Sequence, residues 1–179
     1  MFHRPGRMLV ASLAVLFAAS AFAQKSANAN AKACKLLTPA EIQSAFGAGP
    51  SRVVGMDGAV TSTCNMAVGN YTIKLQHVIG QARQLGMDTG VAMKGAQQML
   101  QEAGFQTESK DFGGTHCMSA KPGSQASSRR GPVMPPSTNC WVVKGNDSAA
   151  VEIAARNGST PWTMEQVKPL AEKAATRIP

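Results

Sequence analysis

The chain has 179 residues, 44% of them hydrophobic and 16% charged, a balance that excludes a wholly disordered chain and fits one ordinary domain. Aromatic residues make up only 5%, with one Tyr and two Trp, which argues against a stacking platform for single-stranded nucleic acid or sugar rings. The formal charge of +8 is scattered rather than gathered into one patch, and no catalytic or cofactor motif is present.

The first residues read MFHRPGRMLVASLAVLFAASAFAQ. Arg4 and Arg7 form a positive lead, Met8 to Ala19 an apolar run, and Ala21-Phe22-Ala23 a small-residue cleavage site before Gln24. This pattern predicts a secretory signal peptide over 1–23, because the apolar run is too short for a comfortable membrane span. No later stretch reaches transmembrane length, and Cys34 is too far from the apolar run for lipid attachment. The expected mature protein is therefore soluble and exported, without a stable membrane anchor. Loss of Arg4 and Arg7 leaves 16 basic and 10 acidic side chains, a net +6. Only Lys32 with Lys35, and Arg129 with Arg130, stand close together. Such scattered charge serves solubility and weak attraction to anionic surfaces rather than nucleic-acid binding.

Cys34, Cys64, Cys117 and Cys140 all lie in the mature part. An even count in an oxidising compartment predicts two disulfides with three connectivities, of which sequential pairing closes the shortest loops. There is no C-x-x-C, so neither a thioredoxin-like site nor a zinc ribbon is indicated. His116-Cys117-Met118 has the residue types of a copper set but no second cluster beside it, so no metal or cofactor is expected.

Along the mature chain, 24–33 reads as a polar, mobile lead, and 34–179 as a single domain. Thr38-Pro39-Ala40-Glu41 is a capping box with Pro at the first helical position, Leu37 and Ile42 make a hydrophobic staple, and Gly47 closes the helix. Ser62 to Val78 reads as a hairpin turning at Gly69-Asn70 through a type II′ or I′ turn. That turn sets Val68 opposite Tyr71, Met66 opposite Ile73 and Cys64 opposite Leu75, so both strands share one apolar face. His77 falls on the same face and reads as a satisfied core or edge residue.

Asp88 or Thr89 caps a helix running to Ala103, with Ala92, Ala96, Met99, Leu100 and Ala103 as its buried stripe and its Met residues as core filler. Gln106 to Ser119 holds two short strands parted near Gly113-Gly114. The Pro-, Ser- and Gly-rich stretch 121–138 reads as a long loop. Asn139 to Ala155 is a second hairpin, turning at Gly145-Asn146, with Val142 opposite Ala149 and Cys140 opposite Val151. Thr163 caps a last helix to about Arg177, in which Pro169 predicts a kink or a late start. The two Cys-to-Gly-Asn stretches, Cys64–Asn70 and Cys140–Asn146, lie 76 residues apart, and the Asp88 cap falls on Met164 at the same offset. The layout fits either an internal duplication, each half a disulfide, a hairpin and a closing helix, or a chance similarity of two hairpin–helix units, since few residues are identical. The fold class expected is α+β: an antiparallel sheet built from hairpins with three helices packed on it.

Cys34-x-Leu36-Leu37-Thr38-x-x-Glu41-Ile42 with Gly47, Cys64 opening a strand, the Gly-Gly before Cys117 and the C-terminal Ala/Lys helix together resemble a known group. They are similar to small exported bacterial proteins, many of them lipoproteins, with an uncharacterised domain opening on C-x-LLT-x-x-E. The likeness spans most of 34–179. It implies an envelope-associated, non-enzymatic domain in which the first cysteine pairs with the hairpin cysteine, here Cys34 with Cys64. Two features depart from the pattern: Asn65-Met66 follows Cys64 where the group carries an aromatic, and the lipid anchor is missing.

The functional expectation is binding without catalysis. The mature chain has two histidines, His77 and His116, no G-x-S-x-G elbow, and cysteines expected to be oxidised. A long loop held between Cys117 and Cys140 is the expected contact region, through Arg129, Arg130, Val133 and Met134, for an unidentified protein partner or small ligand. The alternative is an inhibitor or immunity-type protein that blocks an exported hydrolase, ahead of a metal-binding or small-molecule carrier. The residues do not specify the oligomeric state.

Overall fold

The computed structural model describes residues 29–80, 89–123 and 134–179, and for 89–93 the backbone alone. The expected signal peptide therefore lies outside the described residues. Among the described residues seven strands, β1 (Arg52–Asp57), β2 (Thr61–Val68), β3 (Tyr71–Val78), β4 (Phe105–Asp111), β5 (Thr115–Pro122), β6 (Ser137–Lys144) and β7 (Asp147–Ala155), form one antiparallel sheet. Their order is β1-β2-β3-β7-β6-β5-β4. Among the described residues a 3-10 turn (Lys32–Lys35) and three helices, α1 (Pro39–Phe46), α2 (Thr89–Glu102) and α3 (Met164–Ala175), complete an α+β architecture.

Both hairpins have the expected register. Val68 pairs with Tyr71 and Cys64 with Leu75, while Cys140 pairs with Val151 and Val142 with Ala149. Gly69 and Gly145 hold φ of 52° and 61° while the Asn after each stays at negative φ, which selects the type II′ turn that matches strand twist. The alternating pattern then puts Cys64, Met66, Ile73, Leu75, Val151 and Ile153 on one buried face. At the centre of the sheet β3 pairs with β7, and Leu75 stands opposite Val151. These two residues are themselves 76 apart, so the two hairpins meet about a local dyad through that pair.

The core face carries α3 over β5–β7 and the 3-10 turn over β1–β3. α3 begins at Met164, directly after its Thr163 cap and capping box with Gln166, so Pro169 does not delay its start. It buries Val167, Leu170, Ala171 and Ala174, and α1 adds Ile42. The disulfides are Cys34–Cys64 and Cys117–Cys140, the sequential pairs. Cys117 and Cys140 stand directly opposite each other across β5 and β6.

Four expectations need correction. The lead is not mobile throughout: Ala31 and Ala33 are fully buried, and the Ala33 amide donates to Ser62 Oγ at 2.8 Å, because the disulfide at Cys34 draws the preceding turn onto the sheet. Its residues 24–28 lie outside the described part. The loop is shorter than 121–138, since β5 runs to Pro122 and β6 starts at Ser137, paired with Ala120. Pro122 faces Phe105 at a position that donates no ladder hydrogen bond, so its missing N–H is tolerated there.

The stripe expected on α2 is not what that helix turns to the sheet. Met99 is 72% exposed and Ala96 is exposed, while Leu100 and Ala103 are half-buried. The side chain of Ala92 lies outside the described part. Gln97 and Gln101, one turn apart, instead bond Ser109 and Thr107 of β4, on the face away from the core. Finally, the similarity of layout between the two halves stops at the sheet. α2 matches α3 in sequence position, yet it packs on β4 rather than over β1–β3.

Candidate functional site

Beside the root of the 121–138 stretch, the core face opens into a groove of about 640 Å³. One wall is the sheet, through Glu108 and Lys110 of β4, Ser119 and Lys121 of β5, and Ser137 of β6. The other is the segment Thr160–Glu165 that leads into α3, with Trp162 at its middle. The groove exists because this segment is held at fixed points. Thr138 Oγ1 donates to the Trp162 carbonyl, and the Tyr71 hydroxyl donates to the Thr160 carbonyl at 3.2 Å. The Trp162 ring stacks on Phe46 at 4.2 Å, with Tyr71 edge-on at 6.1 Å. Three of the chain's few aromatics thus brace one side of the site.

Charge in the groove is mixed. Lys110 Nζ lies 2.9 Å from Glu165 Oε1 and 4.6 Å over the Phe112 ring, and its hydrogen bond holds the Glu165 carboxyl below its ordinary range. Lys121 and Glu108 are exposed at diagonal positions on β5 and β4, with no ion-pair partner among the described residues. Hydroxyls of Ser119 and Thr163 complete a polar lining around the indole.

Of the residues expected to bind, Arg129, Arg130 and Val133 lie outside the described part of the chain. Met134 is described and 47% exposed, three positions before Ser137 in the groove wall. Sequence reasoning did not find Trp162 or the β4 wall. Trp162 sits in an aperiodic stretch, and its one local sign is the Thr163 cap that follows it.

The titratable groups elsewhere have structural partners. His77, 6% exposed, holds Asp147 Oδ2 through Nε2 at 3.1 Å, while Asp147 Oδ1 accepts the Gly80 amide at 3.0 Å. The Gly80 amide and then His77 lower the Asp147 pKa. Ser62 faces His77 across β2 and β3, which completes a Ser-His-Asp trio by residue type. Its hydroxyl is engaged elsewhere: it accepts from the Ala33 amide and hydrogen-bonds the Asp57 carboxyl, whose pKa it lowers. His116 pairs with Asp111 at 3.0 Å, and Asp111 caps the Gly113-Gly114 turn. His116, Cys117 and Met118 alternate across a strand, so they do not converge, and Cys117 is oxidised. Among the described residues no three His, Cys, Asp or Glu side chains group as a metal site.

Glu41 ties the two ends of the domain. It accepts from Arg177 at 2.7 and 3.0 Å and from the Thr38 amide at 2.8 Å, with Lys173 3.0 Å away. The Arg177 guanidinium is the main reason its carboxyl titrates far below the ordinary range. Among the described residues no helix is long and apolar enough to cross a membrane. Comparison with protein-family models, curated proteins and solved structures returns no match to this chain.

Proposed function

We propose that the protein is an exported, soluble, non-enzymatic binding protein of the bacterial envelope, which seats its partner in the groove between β4–β6 and the start of α3. The observation that carries this reading is the groove itself: about 640 Å³, open, mixed in polarity, and walled on both sides by pieces pinned to a disulfide-bonded sheet. Pre-ordered walls spare a ligand much of the entropy cost of ordering its site. The chain from Lys121 to Ser137 leaves and re-enters the sheet at the groove, so the expected contact stretch springs from the same place. The signal-like N-terminus, the two disulfides and the resemblance to envelope domains support export to an oxidising compartment.

The test compares capture from an envelope extract by the mature protein and by Ser119→Trp, which places an indole in the groove beside Glu108 and Thr138. The reading expects a discrete set of captured species to be lost with Ser119→Trp while the thermal transition is kept. Capture that is indifferent to Ser119→Trp overturns it.

A further inference from the structure

The geometry points to an extended peptide segment as the ligand of this groove, added as an eighth strand along the edge of β4. The inference rests on the groove reading above and names the ligand class it takes. β4 is the outermost strand on its side of the sheet, and Phe112 donates to the Thr115 carbonyl at 2.9 Å. In an antiparallel ladder that bond sets the phase: Gln106, Glu108 and Lys110 bond inward to β5, while Thr107 and Ser109 turn their N–H and C=O outward. Among the described residues no partner bonds those outward groups.

The edge is also rigid and directional. The Thr107 and Ser109 side chains are held by Gln101 and Gln97 at 3.0 and 3.2 Å from the far face, so their backbones are fixed without being covered by those bonds. On the near face, Glu108 and Lys110 line the groove with Trp162 and Lys121 beyond them. A strand laid along β4 would gain main-chain hydrogen bonds from Thr107 and Ser109, and every second side chain would enter the groove. Glu108, Lys110 and Asp111 give this edge charges of both signs, which a peptide strand of complementary charge can pair across the ladder.

The test uses a random peptide library displayed on phage and selected on the oxidised mature protein, with one selected peptide made synthetically. Ser109→Pro removes an outward N–H and no ladder bond to β5, and Ser109→Ala removes only the hydroxyl. The expected result is a roughly tenfold or greater loss of peptide affinity in Ser109→Pro, with Ser109→Ala near wild type. The ligand-side version needs no variant: N-methylating one set of alternate peptide residues abolishes binding and N-methylating the other set leaves it intact. Binding that survives Ser109→Pro and both N-methyl sets but falls in Ser119→Trp overturns strand addition and leaves the groove reading standing. Binding that survives Ser119→Trp as well removes the groove reading too. A library that yields no binder overturns the peptide assignment.

Discussion

The two halves of the sheet share a hairpin register and are covered in different ways. In β1–β3, Cys64 is bonded to Cys34 in a 3-10 turn that lies on the face, and Ala31, Ala33 and Leu36 fill the space above the strands. In β5–β7, Cys140 is bonded to Cys117 on the neighbouring strand, and α3 supplies the cover. One half is closed down by its own N-terminal lead. The other is spanned by a helix whose approach segment stands off the sheet, and the groove lies in that gap. The comparison teaches that the strand pattern repeats because hairpin geometry is local, while the cover differs because it depends on segments far away in the chain.

Breaking each half's disulfide is the strongest way to probe this difference. Either Cys34→Ala with Cys64→Ala, or Cys117→Ala with Cys140→Ala, should cost about 3–4 kcal/mol by loop entropy, read as a shift in the urea midpoint. The two pairs should differ in kind. Loss of Cys34–Cys64 frees the lead and makes residues before Ile42 protease-sensitive in the native state. Loss of Cys117–Cys140 leaves β5 and β6 paired by their ladder and the lead protected. Equal protease patterns would show that the 3-10 turn is not the cover of the first half.

At the junction, Leu75→Ala should cost about 2–4 kcal/mol and Val151→Ala somewhat less, since both side chains are fully buried at the local dyad. Chemical denaturation of the two single variants and the double variant gives the coupling. Strict additivity would contradict their contact.

Acid sharpens the tie between the ends. The Glu41 carboxyl titrates below its ordinary value of 4.5 in the fold, so its stabilisation is complete above about pH 4.5 and fades as pH falls below it. Glu41→Gln should be less stable than wild type by about 1–2 kcal/mol at neutral pH, with the gap closing as the buffer is acidified toward pH 3. A gap that is constant across that range would mean that Arg177 does not act on Glu41 as a charge. The turns should show effects of the same size: Gly69→Ala and Gly145→Ala should each cost about 1–2 kcal/mol, and by similar amounts, because both hold positive φ. A large inequality in thermal shift would show that the two hairpins are not equivalent.

Local chemistry was readable from the sequence. The capping box at Thr38, the N-cap at Thr163, both Gly-Asn turns, both hairpin registers and the sequential disulfide pairing follow from residue types at short range. The layers were not readable. α2 has an apolar row at helical spacing, yet Gln97 and Gln101 meet β4, a choice that depends on where β4 comes to lie. The lead looks polar and mobile until Cys34 ties it to Cys64. Strand extension through Lys121 and Pro122 carries no periodic signal because it is imposed by pairing. The groove was hidden for the same reason: its walls come from 108–121, 137–138 and 160–165, which no local pattern joins.

The most direct test of the claim that the second half binds and the first half is closed is an amide chemical-shift map of the oxidised mature protein, titrated with the phage-selected peptide. The account predicts shifts over residues 107–121, 134–138 and 160–165, with β1, β2 and the 3-10 turn unmoved. Shifts concentrated on Lys32–Lys35 or Arg52–Val68, with the groove residues silent, would contradict it.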